Sequence, residues 1–277
     1  MIALPKRATN MTWRRAIAFS YPPRWKKITS IDRCRLQLVL SAFWGRIGGH
    51  LTMEKLMTIK AVAFDMDGLM FDTEDTYWKA ASALLGRRGH VYTDELCNAM
   101  MGRPPKYCFE LFKETFGFPE TWQELQTESE DLFLEFLDDG YSTMPGLYEL
   151  LEHLEQRNIP KGVCTSSASR IVSEVLRRKD LAKRFDFILT AEDVTQGKPD
   201  PEIYLKAATR FGISPSEMLV LEDSTAGCQA AHSAGAFAVA VRVQHNAHYS
   251  FDEANMVVPS LNDPQIMELF VSTKTWK

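Results

Sequence analysis

From residue 58 onward the sequence alternates short apolar runs with longer amphipathic segments, and this alternation limits the fold more than any other feature. The apolar runs are rich in Val, Ile, Leu, Phe and Ala, which is typical of strands covered on both faces. Repeated strand–helix units predict an α/β fold, a doubly wound parallel sheet with right-handed crossovers. We expect strands near residues 60–64, 160–165, 186–190, 218–222 and 237–241, with a weaker strand near 256–258, and helices near 147–157, 169–178, 201–211 and 225–234.

The connection between the first and second expected strands is unusually long. About ninety residues separate them, whereas most strand–helix connections are far shorter. The intervening residues show helical patterns near 76–88, 93–100, 105–116 and 121–137. We therefore predict an all-helical cap domain at 76–142, inserted into a core domain formed by 58–75 and 143–277. Hinges are expected at its boundaries, at Asp72-Thr73, Asp139-Gly140 and Pro145-Gly146.

The first 57 residues differ from the remainder in composition. They carry eleven Lys or Arg and two acidic residues, which gives a net charge of +9. Because the whole chain has a formal net charge of −4, residues 58–277 have a net charge of −13. This leader is interpreted in three ways: an Arg-rich targeting peptide, a disordered tail that contacts an anionic surface, or extra sequence upstream of a true start at Met53 or Met57. We exclude it from the fold argument in every case.

Composition excludes several functional classes. The acidic net charge of residues 58–277 disfavours nucleic-acid binding. Five cysteines without a CxxC motif argue against a disulfide framework or a zinc cluster and suit a reducing, cytoplasmic compartment, with organelle targeting by the leader left open. No stretch approaches 18 uninterrupted apolar residues, so that no membrane span is expected.

Four polar segments follow expected strands. Open α/β sheets bind ligands at the carboxyl ends of their strands, so these segments are expected to meet there. Each could alone be a turn or a helix cap, but their order and common position favour a functional site. The segments are Asp65-Met66-Asp67-Gly68, Val163-Cys164-Thr165-Ser166-Ser167, Gly197-Lys198-Pro199-Asp200-Pro201 and Leu219-Val220-Leu221-Glu222-Asp223-Ser224.

In this order the four segments resemble the motifs of the haloacid dehalogenase-like (HAD) hydrolase superfamily, in its helical-cap subgroup. The resemblance covers about residues 59–245 and extends to pseudouridine-5′-phosphatase and glycerol-3-phosphatase-type phosphatases and the β-phosphoglucomutase branch. It implies a Rossmann-like sheet with the first strand central, a mobile cap and Mg²⁺ as cofactor. The implied activity is hydrolysis of a small phosphomonoester of sugar, polyol or nucleotide type.

The resemblance also implies a role for each motif residue. Asp65 would be the nucleophile that becomes an aspartyl phosphate, and Asp67 the general acid and base. A magnesium ion would offset the repulsion between neighbouring carboxylates. The implied metal ligands are Asp65, Asp67 through its carbonyl, Asp223 and Glu222, the last direct or in support. The implied phosphate-binding residues are Gly68, Thr165, Ser166 and Lys198, with Arg103 as a candidate substrate contact from the cap.

Three alternatives stay open. Dehalogenation needs neither Asp67 nor the Glu222-Asp223 pair and is disfavoured. The mutase branch has a histidine at the position of Tyr77 and basic residues in its cap that bind a second phosphate. The segment 100–105 of this chain departs from that cap pattern, and both differences favour hydrolysis. A non-catalytic protein on the same scaffold is disfavoured because every expected catalytic position is filled.

The remaining conspicuous residues receive structural interpretations. The six histidines, among them His90, His153 and His232, show no metal-ligand spacing. Trp78 and Trp122 are assigned to the cap core in preference to base stacking, and Cys164 to strand packing. The expected partner is a small phosphomonoester, without nucleic acid or membrane, and the expected state is a monomer or weak homodimer.

Overall fold

The computed structural model describes residues 58–100, 103–138 and 140–270. Six strands are formed within these ranges, each within two residues of its predicted position at both ends. The strands are β1 (Ala61–Phe64), β2 (Lys161–Cys164), β3 (Phe187–Leu189), β4 (Met218–Glu222), β5 (Phe237–Val241) and β6 (Met256–Val258). The leader 1–57, Met101, Gly102 and the hinge residue Asp139 lie outside the described residues.

The six strands form one parallel sheet in the order β3-β2-β1-β4-β5-β6. Strand β1 lies between β2 and β4, with Val62 opposite Lys161 on one side and Leu219 on the other. All four residues of β1 are buried, as its uninterrupted apolar sequence predicts. The chain moves outward from β1 in both directions, which places the switch point of the sheet at the carboxyl end of β1. The predicted doubly wound, Rossmann-like sheet is confirmed.

Nine helices accompany the sheet within the described ranges. Five of them lie between β1 and β2, and we call residues 74–137, which contain the first four, the helical insertion. These four are α1 (Glu74–Gly86), α2 (Asp94–Met100), α3 (Pro105–Phe116) and α4 (Trp122–Leu137). The others are α5 (Leu147–Gln156), α6 (Ser169–Arg178), α7 (Glu202–Phe211), α8 (Thr225–Ala234) and α9 (Pro264–Glu268). That residues 76–142 form a separate domain stays a prediction.

The two linkers between the sheet and the helical insertion are hydrogen-bonded to each other. The Asp72 N–H donates to the Ser142 carbonyl at 3.0 Å, and the Met144 N–H donates to the Met70 carbonyl at 2.9 Å. Phe71 and Thr143 form an antiparallel bridge between these two bonds. The insertion therefore leaves and rejoins the core as a short two-stranded ribbon.

The largest hydrophobic core continues from the sheet into the insertion. Phe64 and Leu221 of the sheet belong to the same cluster as Leu84, Phe112 and Phe133 of the insertion helices. A second cluster of smaller side chains fills the other face of the sheet against α7 and α8. In the part of the chain that the structure describes, no helix combines the length and apolarity that a membrane crossing requires.

Candidate active site

At the carboxyl edge of the sheet, two of the predicted segments place carboxylates beside a lysine that comes from a third segment. The Asp65 N–H donates to the Leu221 carbonyl at 3.0 Å, which extends the β1–β4 pairing by one residue. Carboxylate oxygens of Asp65, Glu222 and Asp223 all lie within 4.8 Å of one another, and the three residues are buried. Lys198 joins them although it lies in a loop more than 130 positions from Asp65. The predicted convergence of these segments is therefore present.

Lys198 links the nucleophile candidate to Glu222. Its ammonium group contacts Asp65 Oδ1 directly, donates to Glu222 Oε1 at 2.6 Å and donates to the Cys164 carbonyl at 3.0 Å. Burial lowers the pKa of Lys198, but the charges of Asp65 and Glu222 outweigh it and hold that pKa above its ordinary value. The lysine is therefore charged at neutral pH, with its three donors occupied.

Glu222 is surrounded by donors. Tyr204 Oη donates to Glu222 Oε1 at 2.6 Å, and the second oxygen accepts from Ser224 Oγ at 3.0 Å and from the Asp223 and Ser224 N–H groups at 3.2 Å. The carboxylate has no exposed surface. These contacts suit a residue that orients Lys198, and a direct role in metal binding stays a prediction.

Asp67 is held by three hydroxyl groups. Thr73 Oγ1 donates to Asp67 Oδ1 at 2.7 Å, while Ser167 Oγ and Thr165 Oγ1 donate to Oδ2 at 2.6 and 3.4 Å. Tyr77 of α1 extends this network, with its hydroxyl 2.7 Å from Ser167 Oγ. Burial raises the pKa of Asp67, and the hydrogen bonds from these hydroxyls only partly oppose it. A carboxyl group with a raised pKa is suited to donate a proton.

Gly68 gives the loop after β1 room to approach Asp223. Its φ is +77°, in the region that favours glycine, and an added Cβ would lie 2.2 Å from Asp223 Oδ2. The Gly68 N–H donates to the Phe71 carbonyl at 2.8 Å and closes the turn. Burial raises the pKa of Asp223 well above its ordinary value, and the charge of Glu222 adds to this effect.

His245 lies beside the three carboxylates of Asp65, Glu222 and Asp223, which we call the acidic cluster. Its Nε2 is 3.1 Å from Asp223 Oδ2, and its Nδ1 is 3.4 Å from Glu74 Oε2. The side chain of Asn246 fixes the same loop by donating to the Asp223 carbonyl at 2.8 Å. The sequence pattern contains no signal for these contacts, because residues 245 and 246 follow β5 in an irregular segment without a recognisable motif.

The other predicted residues lie around the same cluster at different depths. Thr165 is buried at the end of β2, and its hydroxyl accepts a hydrogen bond from the Ser167 N–H at 3.0 Å. Ser166 lines the cavity described below. Arg103 is exposed at its edge, with its guanidinium carbon 5.3 Å from the centre of the Tyr107 ring. Cys164 is buried in β2, as its predicted role in strand packing implies. Burial raises the pKa of its thiol, which keeps the thiol in its unreactive protonated form.

A cavity of about 440 Å³ lies between the acidic cluster and the helical insertion. Asp65, Asp67, Thr165, Lys198 and Asp223 line its floor. The insertion approaches the core closely at its rim: a Cβ added to Gly197 would lie 2.6 Å from Pro104 Cγ. The helical insertion thus covers the cluster, and a ligand in the cavity would contact both parts.

Sequence reasoning identified the charged members of the site but missed the groups that orient them. Ser167 lies in one of the four segments, but the sequence predicts no role for it, and it predicts Thr73 only as a hinge residue. Tyr204 carried no signal at all, because its position in α7 satisfies an ordinary apolar pattern. A buried tyrosine needs a hydrogen-bond partner, which is the one general indication that could have marked it.

Comparisons with known proteins agree with this geometry. The model of the "Haloacid dehalogenase-like hydrolase" family matches residues 62–241. The "Phosphorylated carbohydrates phosphatase" of Thermotoga maritima is 35% identical over 181 residues, which cover 64% of this chain and 82% of that protein. The "Probable pseudouridine-5'-phosphatase" of Drosophila melanogaster is 33% identical over 214 residues, which cover 75% and 92%.

A solved structure supports the same assignment. The β-phosphoglucomutase of Clostridium difficile superposes with a TM-score of 0.67 at 27% identity, over 77% of this chain and 98% of that chain. The matched family region contains strands β2 to β5, all of β1 except Ala61, and each of the four segments that form the site. The chain belongs to the haloacid dehalogenase-like hydrolase family.

Proposed function

We propose that this protein is a magnesium-dependent hydrolase of a small phosphorylated metabolite, acting through an aspartyl phosphate on Asp65. The observation that carries the proposal is the pairing of two differently held carboxylates. Asp65 contacts the ammonium group of Lys198, whereas Asp67 is surrounded by neutral hydroxyls. Burial raises the pKa of both acids, but at Asp65 the charge of Lys198 opposes the rise, whereas at Asp67 mainly neutral hydroxyls do. A further cation beside Asp65 would favour its ionised, nucleophilic form, and Asp67 is suited to donate a proton.

The reaction follows from these positions. An Asp65 oxygen attacks phosphorus, the bond to the ester oxygen breaks, and Asp67 transfers its proton to the departing alcohol. Asp67 then takes a proton from a water molecule, which attacks the aspartyl phosphate and releases inorganic phosphate and free Asp65. Atoms and protons balance over the two steps, and Asp67 acts once as an acid and once as a base.

The residues around the phosphoryl group would supply positive charge and hydrogen bonds. Lys198 is the charged donor closest to Asp65, and Thr165, Ser166 and the backbone at Gly68 are the proposed neutral contacts. Arg103 at the cavity edge is the proposed contact to the leaving group, because its guanidinium has no carboxylate partner within the described residues.

The acidic cluster fits a magnesium ion. Asp65, Asp67, Glu222 and Asp223 are four acids around a single lysine, and burial raises the pKa of Asp65 and Asp223 well above their ordinary values. Mg²⁺ prefers such hard oxygen ligands. Asp65 and Asp223 would hold it with the Asp67 carbonyl, while Glu222 supports Lys198. When bound, the ion would offset the repulsion between the acids and draw charge from the phosphoryl oxygens.

Magnesium is expected to stabilise the folded protein in the absence of substrate. Because the buried carboxylates lose their repulsion on binding, saturating Mg²⁺ should raise Tm by about 5 °C or more, since ligand at 100 times Kd contributes about 2.7 kcal/mol. Differential scanning calorimetry after EDTA treatment measures the shift, with NaCl at equal ionic strength as the control. An equal shift in NaCl would contradict a specific site, and Asp223→Asn should reduce the magnesium effect.

The assignment of Asp67 is tested by leaving groups of different basicity. Asp67→Asn cannot protonate the departing oxygen, so kcat/KM for alkyl phosphates should fall by about 10²–10⁴-fold. Phosphates of acidic phenols, such as 4-nitrophenyl phosphate, need less protonation and should lose much less. Steady-state kinetics on a series of alkyl and aryl phosphates gives the dependence. An equal loss for every leaving group would assign Asp67 a structural or metal-binding role instead.

The structural similarity to a β-phosphoglucomutase makes a sugar phosphomutase the second candidate. A mutase must hold a second phosphoryl group in the part of the cavity formed by the insertion. Among the described lining residues of the insertion, Arg103 is the one cation, and Glu74, Asp75 and Glu130 line the cavity as well. This charge balance favours hydrolysis. Release of inorganic phosphate from β-glucose 1-phosphate, without glucose 6-phosphate as product, would exclude the mutase.

A further inference from the structure

The helical insertion presents three helix faces to the cavity, and the faces differ in polarity. Residues at positions i, i+3, i+4 and i+7 of a helix share one face. On α1 this face is Glu74, Tyr77, Trp78 and Ala81; on α3 it is Pro105, Cys108, Phe109 and Phe112. On α4 it is Gln126, Ser129, Glu130 and Phe133. The α3 face is therefore apolar and aromatic, the α1 face is so except for Glu74 and the adjoining Asp75 at its N-terminal end, and the α4 face is mainly polar.

Trp78 is the largest side chain on the apolar side of the cavity. It is half-buried, and its ring centre lies 4.8 Å from that of Tyr92, at an angle of 58°. Tyr92 and Met100 also line the cavity. This arrangement corrects the sequence-based assignment of Trp78 to the cap core, while Trp122, at the start of α4, lies outside the cavity and packs against the core as predicted.

The polar side of the cavity is neutral or acidic. Gln126 Nε2 donates to Glu130 Oε1 at 2.7 Å, which fixes both side chains along α4. Lys198 is fully engaged by Asp65, Glu222 and the Cys164 carbonyl. A second anionic group on the substrate would therefore meet carboxylates, and Arg103 at the edge is the one cation among the described lining residues of the insertion that could receive it.

The size of the cavity adds a further constraint. At about 440 Å³ it falls in the range of sites that enclose a drug-sized ligand, so that a phosphoryl group on a three-carbon alcohol would fill only part of it. A flat ring between the apolar faces of α1 and α3 would fill the rest and remove aromatic surface from water. Ring stacking on an aromatic side chain is a recurrent source of such binding.

We infer that the leaving alcohol of the substrate is uncharged and carries a planar ring, and that Trp78 is the residue that recognises the ring. The ring lies against the apolar faces of α1 and α3, and its polar edge faces Gln126 and Ser129 of α4. This inference rests on the proposed phosphomonoesterase activity and specifies its substrate class. It makes Trp78 a specificity-determining residue that is distant from the reacting phosphoryl group.

Two matched pairs of phosphomonoesters test the inference on the full chain with Mg²⁺. Uridine 5′-monophosphate and ribose 5-phosphate share the esterified sugar, and only the first carries the planar uracil ring. Benzyl and ethyl phosphate are both esters of primary alcohols, and only the first carries a planar phenyl ring. We expect kcat/KM to be about tenfold or more higher for the ring-bearing member of each pair. Equal or lower values for the ring-bearing members in both pairs would overturn the inference.

The tryptophans provide matched variants. Trp78→Ala should lower the ratio of kcat/KM within each pair by about fivefold or more, whereas Trp122→Ala, an equally large truncation outside the cavity, should leave the ratio unchanged. Trp78→Phe retains a ring and should preserve most of the preference, which controls for loss of folding. If Trp78→Ala and Trp122→Ala change the ratio equally, Trp78 is not the recognition residue. Absence of phosphate release from all four esters by the folded wild-type protein would instead refute the proposed hydrolase function.

Discussion

The Asp65→Asn variant is expected to lose phosphatase activity by a factor on the order of 10⁴ or more, because an amide cannot form the aspartyl phosphate; losses of this size accompany removal of nucleophiles in other enzymes. The fold should not suffer. Burial and the neighbouring charges of Glu222 and Asp223 raise the pKa of Asp65, so a neutral side chain relieves repulsion in the absence of metal. We therefore expect Tm in EDTA to be equal to or above the wild-type value.

Phosphate release and calorimetry on the same preparation measure both effects. Mass spectrometry must exclude deamidation back to aspartate, which would restore activity in a fraction of the molecules. Asp252→Asn, at an exposed position, is the control for the same chemical change outside the site. Activity of Asp65→Asn within tenfold of wild type would refute the nucleophile assignment, and a large fall in Tm would indicate that Asp65 stabilises the fold.

Lys198→Met is expected to remove activity and also to destabilise the protein. The methionine fills similar space, but Asp65 and Glu222 lose the cation that both contact in a site where Lys198 is only 2% exposed. Removing one partner of a buried ion pair costs about 3–5 kcal/mol, because the remaining charges stay buried without compensation. Urea denaturation in EDTA gives the change in free energy of unfolding, and phosphate release gives the loss of turnover.

A double variant separates the two effects of Lys198. Lys198→Met combined with Glu222→Gln removes one of the two carboxylates that would otherwise be uncompensated, so stability should recover by about 1–3 kcal/mol. Activity should stay absent, since the phosphoryl group still lacks the buried cation. Recovery of activity together with stability would show that the lysine acts only through folding. No recovery of stability would show that packing, rather than charge, explains the loss in the single variant.

The sheet and the charged residues of the site were accessible to sequence reasoning for a common physical reason. Strands buried on both faces are continuous apolar runs, and Asp65, Thr165 and Glu222-Asp223 come directly at or after the ends of such runs. Parallel strands bring these ends to one edge, so the meeting of the segments follows from their order. Lys198 was placed by the family resemblance rather than by strand geometry.

The orienting groups and the cavity wall could not be predicted in this way. Tyr204 reaches Glu222 from a helix whose apolar pattern looks the same with or without that hydrogen bond. Trp78 and Trp122 have the same side chain and both lie on insertion helices, yet only Trp78 faces the cavity. A periodic apolar pattern identifies a buried face, but a face that lines a binding cavity and a face that packs in a core produce the same pattern.

The hydrogen-bonded linkers between the sheet and the helical insertion affect how the sequence of such a protein can change in evolution. Because the Asp72 N–H meets the Ser142 carbonyl at 3.0 Å, the chain enters and leaves the insertion at nearly the same point. The closure entropy of a loop grows only slowly with its length, so β1 and β2 can pair whether a short loop or a whole helical bundle precedes the crossover helix α5. In the function proposed above, the strand ends of the core supply the phosphoryl chemistry and the insertion supplies the substrate choice, so the two are encoded in separate stretches of sequence. A lineage could acquire a new metabolite by altering α1 and α3 while Asp65, Asp67, Glu222 and Asp223 stay unchanged.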